Sequence, residues 1–210
     1  LEFRRVLFRS FGLLVLIPDN FQLKSIFKNV IGEELLQGVS YEILQKTLSS
    51  FPEKYEVPAK GRPINLFYLK DNIRERIEKS NGVFKVLNTT LEFSENEMKQ
   101  ELLDFPERFS PNVILRPLFQ EVLLPNVAFV GGGAEIGYWM ELKDIFHRYT
   151  IPFPVIILRN SFVIIDNKDA EKLADLKLDA LQLFQDDHLI IDSIINKKNS
   201  GMGKIGRAHV

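Results

Sequence analysis

Apolar residues run unbroken from Leu13 to Ile17 and stop at Pro18-Asp19, so residues 12–17 are expected to form a strand buried on both faces. Leu23, Ile26, Phe27, Val30 and Ile31 follow at helical spacing, and a second helix is expected over 41–48. The proline-punctuated stretch "FPEKYEVPAKGRP" then reads as a connection. Over 64–93 the period changes. Short runs separated by Lys70-Asp71-Asn72 and by Asn81-Gly82, a strong hairpin signal, predict a three-stranded antiparallel meander. In it, Ile73 and Ile77 alternate with charges, as on a strand wetted on one face. Ser94 and Glu97 form a capping-box signature, opening a helix that carries Met98, Glu101, Leu102 and Phe105 and stops near Pro106. Beyond it come a short helix at 118–124, a strand at 127–130, a helix at 134–149, β-rich runs at 154–159 and 161–166, and a helical tail at 169–198. The order predicts a mostly parallel α/β core with an antiparallel insertion and a helical end.

Composition narrows the partners. The chain has 210 residues, 45% of them hydrophobic, enough for one good core and a small second lobe. Its 27 basic side chains balance 28 acidic ones, so no net field favours nucleic acid or an anionic membrane, and neither partner is expected. Apolar runs are far short of the roughly 18 residues of a membrane helix. The absence of cysteine excludes disulfides and thiolate-bound zinc, which fits a reducing cytoplasm.

The chemistry concentrates in "NVAFVGGGAEIGYWMELK", residues 126–143, where a strand opens through Gly131, Gly132 and Gly133 into a helix. A dinucleotide fingerprint needs a third glycine where Ile136 stands, and here that glycine comes one residue late, at Gly137. Glu135 in the first turn competes for the amides a phosphate would use. It either caps its helix or attracts an ammonium group. Tyr138, Leu142, Ile145, Phe146 and Tyr149 form a core stripe, while Trp139 either packs in the core or extends toward a crevice mouth. Arg116, one turn before Gln120 and Glu121, and Arg159, ending an apolar strand, must each pair or reach solvent, and are candidates for a carboxylate, either a ligand's or a neighbouring glutamate's. His147 is expected at an exposed helix end, and His188 beside Asp186 and Asp187 is not expected to bind metal, because adjacent helical residues diverge. The pattern holds no Ser-His-Asp order and no GK[ST] phosphate loop, so the residues alone reach a crevice for a small polar ligand.

Both termini stand apart. "LEFRRVLFRS" is encodable by a DNA string containing GACGTGTGCTCTTCCGATCT, and "KIGRAHV" by one containing its reverse complement. Residues 1–10 and about 204–210 are therefore expected to be translated sequencing adapter at the two ends of one DNA fragment, and the rest to be an internal piece of a longer protein.

Taken together, "NLFYLKDNIRERIEKSNGVFKVL", "PERFSPNVILRPLFQEVLLPNVAFVGGGAEIGYWMELK" and "PVIILRNSFVIID" closely resemble the bacillithiol biosynthesis family BshC, whose members add cysteine. Where many of that family read Gly-Gly-Pro-Gly-Glu-Ile, this chain reads Gly-Gly-Gly-Ala-Glu-Ile, keeping the glutamate and losing the proline. The resemblance implies a Rossmann-like core in two parts, 11–54 and 94–168, with a connecting insertion at 55–93. The start of a dimerising helical coiled-coil region follows at 169–203. It implies an amide-forming ligase that joins cysteine to glucosaminyl-malate, with ATP or another nucleotide as a candidate for activating the carboxyl, and a homodimer in the full-length protein. On that reading Arg116, Gln120, Glu121, Gly131, Gly132, Gly133, Glu135, Tyr138, Trp139 and Arg159 line the substrate site. Further core motifs of the family lie outside these residues. The alternatives are a nucleotide-dependent oxidoreductase domain and a non-catalytic dimerising scaffold.

Overall fold

The computed structural model describes residues 12, 16–52 and 59–201. The chain forms two compact units, Leu1–Asn160 and Ser161–Val210.

Among the described residues the first elements of the first unit are three helices, α1 (Phe21–Ile26), α2 (Lys28–Gln37) and α3 (Val39–Ser49). Asn20 starts α1 by accepting hydrogen bonds from the Gln22 and Leu23 amides at 2.9 and 3.3 Å, satisfying donors that have no partner within the helix. The helix expected across 23–31 is two helices, broken where Phe27 leaves helical geometry and packs its ring 5.0 Å from that of Phe119. Gly38 joins α2 to α3 at φ 63°. A Cβ there would stand 2.6 Å from the Pro63 carbonyl oxygen, so both backbone angle and space require glycine.

Strands β1 (Leu66–Lys70), β2 (Ile73–Ser80), β3 (Val83–Val86), β4 (Glu92–Phe93) and β5 (Phe109–Pro111) form one sheet in the order β4-β3-β2-β1-β5, every pair antiparallel. Positive φ at Asp71, Asn81 and Gly82 turns the first two hairpins. Helix α4 (Glu95–Asp104) lies between β4 and β5; the Ser94 amide donates to the Glu97 carboxylate at 2.7 Å and the Ser94 hydroxyl accepts from the Glu97 amide. Met98 and Leu102 of α4 pack against Leu66, Tyr68, Ile77 and Phe84 in the core.

Helix α5 (Arg116–Leu123) precedes β6 (Ala128–Gly131), α6 (Gly133–Glu141), α7 (Lys143–Arg148) and β7 (Val155–Leu158). β6 and β7 pair in parallel, Ala128 opposite Val155 and Gly131 opposite Leu158. The helix expected at 134–149 is broken at Leu142, whose amide bonds to the Trp139 carbonyl three residues back and tightens the turn.

Three expectations need correction. Among the described residues the parallel part is only the pair β6–β7, so the larger sheet is antiparallel. Of the expected strand at 12–17, residues 13–15 lie outside the described residues, and Leu16 and Ile17 are exposed and in no strand. The run at 161–166 is apolar but pairs with nothing among the described residues, leaving Ile164 94% exposed.

The second unit contains α8 (Asn167–Asp175), a 3-10 turn at Ala180–Phe184 and α9 (Asp187–Gly201). The tail expected as one helical stretch is interrupted, because Lys177 takes φ 52° just past the end of α8. No residue of α8 is buried.

Candidate functional site

The carboxyl ends of β6 and β7 lie side by side, and parallel register puts the residue after each strand at one crevice. Arg159 follows β7 and donates its amide to the Gly131 carbonyl at 2.8 Å. Its side chain lies against the glycine turn: a Cβ built on Gly132 would sit 3.2 Å from Arg159 Nη2 and 3.7 Å from Glu135 Oε2. Those two charged atoms are therefore no more than 6.9 Å apart, the sum of the two distances. Yet they form no ion pair within 4.0 Å, and no other carboxylate among the described residues approaches Arg159 that closely.

Glu135 accepts the Gly132 amide at 2.9 Å and so braces the turn before α6. The amides of Gly133, Ala134 and Glu135 have no intrahelical acceptor, as in any first helical turn. The crevice thus offers backbone donors, a guanidinium and a carboxylate within a few ångströms. The turn does not suit a phosphate, because Glu135 takes one amide and sets a negative charge beside it.

The three glycines differ in what they do. A side chain at Gly131 would strike the Phe129 ring at 2.6 Å and Glu135 Cβ at 3.1 Å, so packing excludes it. At Gly132 it would press on Arg159. At Gly133 a Cβ meets nothing within 4 Å, which leaves open space in front of the helix start.

The remaining candidates divide. Arg116 is exposed at the start of α5, its Nη2 donates to the Tyr138 hydroxyl at 3.0 Å, and no carboxylate among the described residues pairs with it. Glu121 turns inward instead: it is buried and accepts from the Asn126 amide at 2.7 Å and the Asn126 side chain at 2.8 Å, with Gln120 donating to it at 3.3 Å. Gln120 and Glu121 thereby brace the link from α5 to β6. Trp139 lies in the core, 1% exposed, rather than at the crevice mouth. Its ring stacks on Phe129 at 4.2 Å and meets Phe146 and Phe153 at 5.7 and 6.0 Å, the placement its large apolar area favours. Among the described residues no hydrogen bond or ion pair joins Arg116–Tyr138 to the group Gly132–Glu135–Arg159.

Sequence reasoning missed Asn126, Phe129 and Glu141. Asn126 and Phe129 lay within the quoted motif, but only the fold shows that one satisfies Glu121 and the other holds Trp139. Glu141 is fully buried with neither carboxylate oxygen hydrogen-bonded. Burial raises its pKa to about 7, and the nearby Ala59 amide offsets only part of that shift.

A family model described as "Bacillithiol biosynthesis BshC, N-terminal Rossmann-like domain" matches residues 2–160, ending where the first compact unit ends. Curated proteins named "Putative cysteine ligase BshC" are similar along most of the chain. Those of Flavobacterium johnsoniae and Christiangramia forsetii are 42% and 40% identical, each over 91% of this chain and 36% of the relative. A Bacillus anthracis protein of the same name is 31% identical over 82% of this chain and 33% of its own length. The chain spans about a third of the length of these relatives. The family model covers most of the chain and includes the glycine turn and the parallel pair β6–β7: the chain belongs to the BshC family of bacillithiol biosynthesis, with residues 2–160 in its N-terminal Rossmann-like domain.

Proposed function

We propose that this segment is part of an amide-forming site that joins the carboxyl of cysteine to the amine of glucosaminyl-malate, completed by the rest of a protein about three times as long. The observation that carries the reading is the arrangement of Arg159 and Glu135 around Gly132, opposite charges within 6.9 Å but not paired to each other. A carboxylate fits between Arg159 and the open amides at Gly133, and an ammonium group fits beside Glu135. Both substrates carry such groups. Arg116 is a second cation for a malate carboxylate, steadied by Tyr138.

Amide formation needs an activated carboxyl, from which an oxygen leaves as the amine nitrogen attacks. A nucleotide is one candidate for the activation, but the glycine turn itself is a poor phosphate site, and no step at this turn is assigned to one. The broken helices after Asp166 are the beginning of a helical region that supports a homodimer in the longer protein. The bare outer face of β6–β7, where Val130 is 58% and Ile157 45% exposed, is consistent with a sheet that needs further strands or helices.

Arg159→Ala in a full-length parent is expected to lower kcat/KM by about 10–100-fold, the scale of one lost charge-assisted interaction. Glu135→Gln should raise the KM for glucosaminyl-malate. Unchanged kinetics in both variants would remove the assignment. Residues 1–210 alone are expected to form no product from cysteine and glucosaminyl-malate.

A further inference from the structure

A second place on the molecule has the features of a ligand site and shares no residue with the glycine turn. The β1–β2 ladder runs from Lys70 opposite Ile73 to Phe67 opposite Arg76 and goes no further. β2 continues to Ser80, paired from Ile77 onward with β3 on its other side. Its β1 side over that span therefore faces a notch of about 320 Å³ rather than a strand.

The notch is held open by buried hydrogen bonds. Asn65 donates its amide to Glu34 at 2.8 Å and its side-chain NH2 to the Ser40 hydroxyl and the Arg62 carbonyl, both at 2.8 Å. Its side-chain oxygen accepts from the Arg62 amide at 3.0 Å and from Asn112 Nδ2 at 2.9 Å. Glu34 also accepts from the Ser40 amide and hydroxyl. With every side-chain donor and acceptor of Asn65 engaged, the chain before β1 is drawn away from β2 and Arg62-Pro63-Ile64 becomes a fixed wall.

Exposed Pro63 gives the notch an apolar surface with Ile64 and Ile77 buried behind it, and Arg62, Arg76 and Lys79 line it together with one acidic residue, Glu78. Among the described residues neither the Arg62 nor the Arg76 guanidinium has a hydrogen bond or ion pair, whereas Lys79 is engaged by Glu95 at 3.3 Å. Two unpaired guanidiniums on exposed residues that line one preformed concave space are a donor set that recognises an oxyanion bidentately. We propose that this notch binds a small molecule bearing a carboxylate or phosphate, gripped by Arg62 and Arg76, with its body against Pro63.

The test is calorimetric titration of the 210-residue chain at low ionic strength with inorganic phosphate and, separately, succinate. Saturable binding of at least one is expected, weakened tenfold or more by Arg76→Ala and by Arg62→Ala and only partly retained in Arg76→Lys, which keeps the charge but not the planar fork. Both arginines are exposed, so circular dichroism should show each variant folded. Tighter binding of phosphate assigns a phosphoryl ligand, and tighter binding of succinate a carboxylate one. Absence of saturable binding by both probes, or an unchanged Kd in Arg76→Ala, overturns the proposal. So does a loss caused by Arg159→Ala instead, since that would put the anion at the glycine turn.

Discussion

The antiparallel sheet and the parallel pair β6–β7 are built from similar apolar residues but are finished to different degrees. Leu66, Tyr68, Ile77 and Phe84 of the antiparallel sheet are closed over by α4 and by the helices before it. In the parallel pair Phe129 and Ile156 pack against the core that includes α6 and α7, and Val130, Val155, Ile157 and Leu158 are exposed. A strand pair reaches independent stability only when a face is covered, so the first region carries its own core and the second borrows from α6 and α7. The carboxylates follow the same division. Glu34, beside the antiparallel sheet, accepts three hydrogen bonds, while Glu141, on the helix backing the parallel pair, accepts none among the described residues.

The sharpest test removes one large ring from each region. Phe84→Ala in the closed sheet and Trp139→Ala behind the parallel pair should each cost about 3–5 kcal/mol, read from urea midpoints. A cost below about 1 kcal/mol for Trp139→Ala would show that the parallel region is not packed at all. The next effect depends on pH. The folded-state pKa of Glu141, about 7, lies above the ordinary 4.5, so the fold binds that proton more tightly than the unfolded chain. Its contribution is fully present below pH 4.5 and is lost as pH rises through about 7, a change of about 3 kcal/mol. Unfolding followed from pH 5 to pH 8 should show that decline in the parent and a flatter profile in Glu141→Gln; parallel profiles would remove Glu141 as the cause.

Ser94→Ala should cost about 1 kcal/mol through loss of the α4 cap. The smallest change expected is Ile157→Lys, within about 0.5 kcal/mol in this chain because the side chain faces out. In a full-length parent the same substitution should be strongly destabilising, and equal effects in both would show that the face is bare in the whole protein too.

What could be read from the sequence was local. The Ser94–Glu97 cap, the Asn81-Gly82 turn and the glycine turn after β6 depend on residues a few positions apart, and the structure has all three. Strands β4 and β5 are two and three residues long and exist only through distant partners, Phe84 for Phe93 and Tyr68 for Phe109. Periodicity cannot register such pieces. The same holds for the site: the proximity of Arg159 to Gly132 comes from parallel register across 27 positions, whereas Glu135 and Gly132 are neighbours in the chain.

Gly131 has a consequence for how this protein can change over generations. Its φ is not positive, so the barrier to a larger residue is volume, set first by a Phe129 ring that Trp139 holds in place and then by Glu135 Cβ. Alanine at 131 is disfavoured as a single step, and the closer of its two close contacts is relieved once Phe129 has shrunk to leucine. Lineages that depart from glycine there should therefore carry the strand change as well, recording in paired substitutions a contact that no single position reveals.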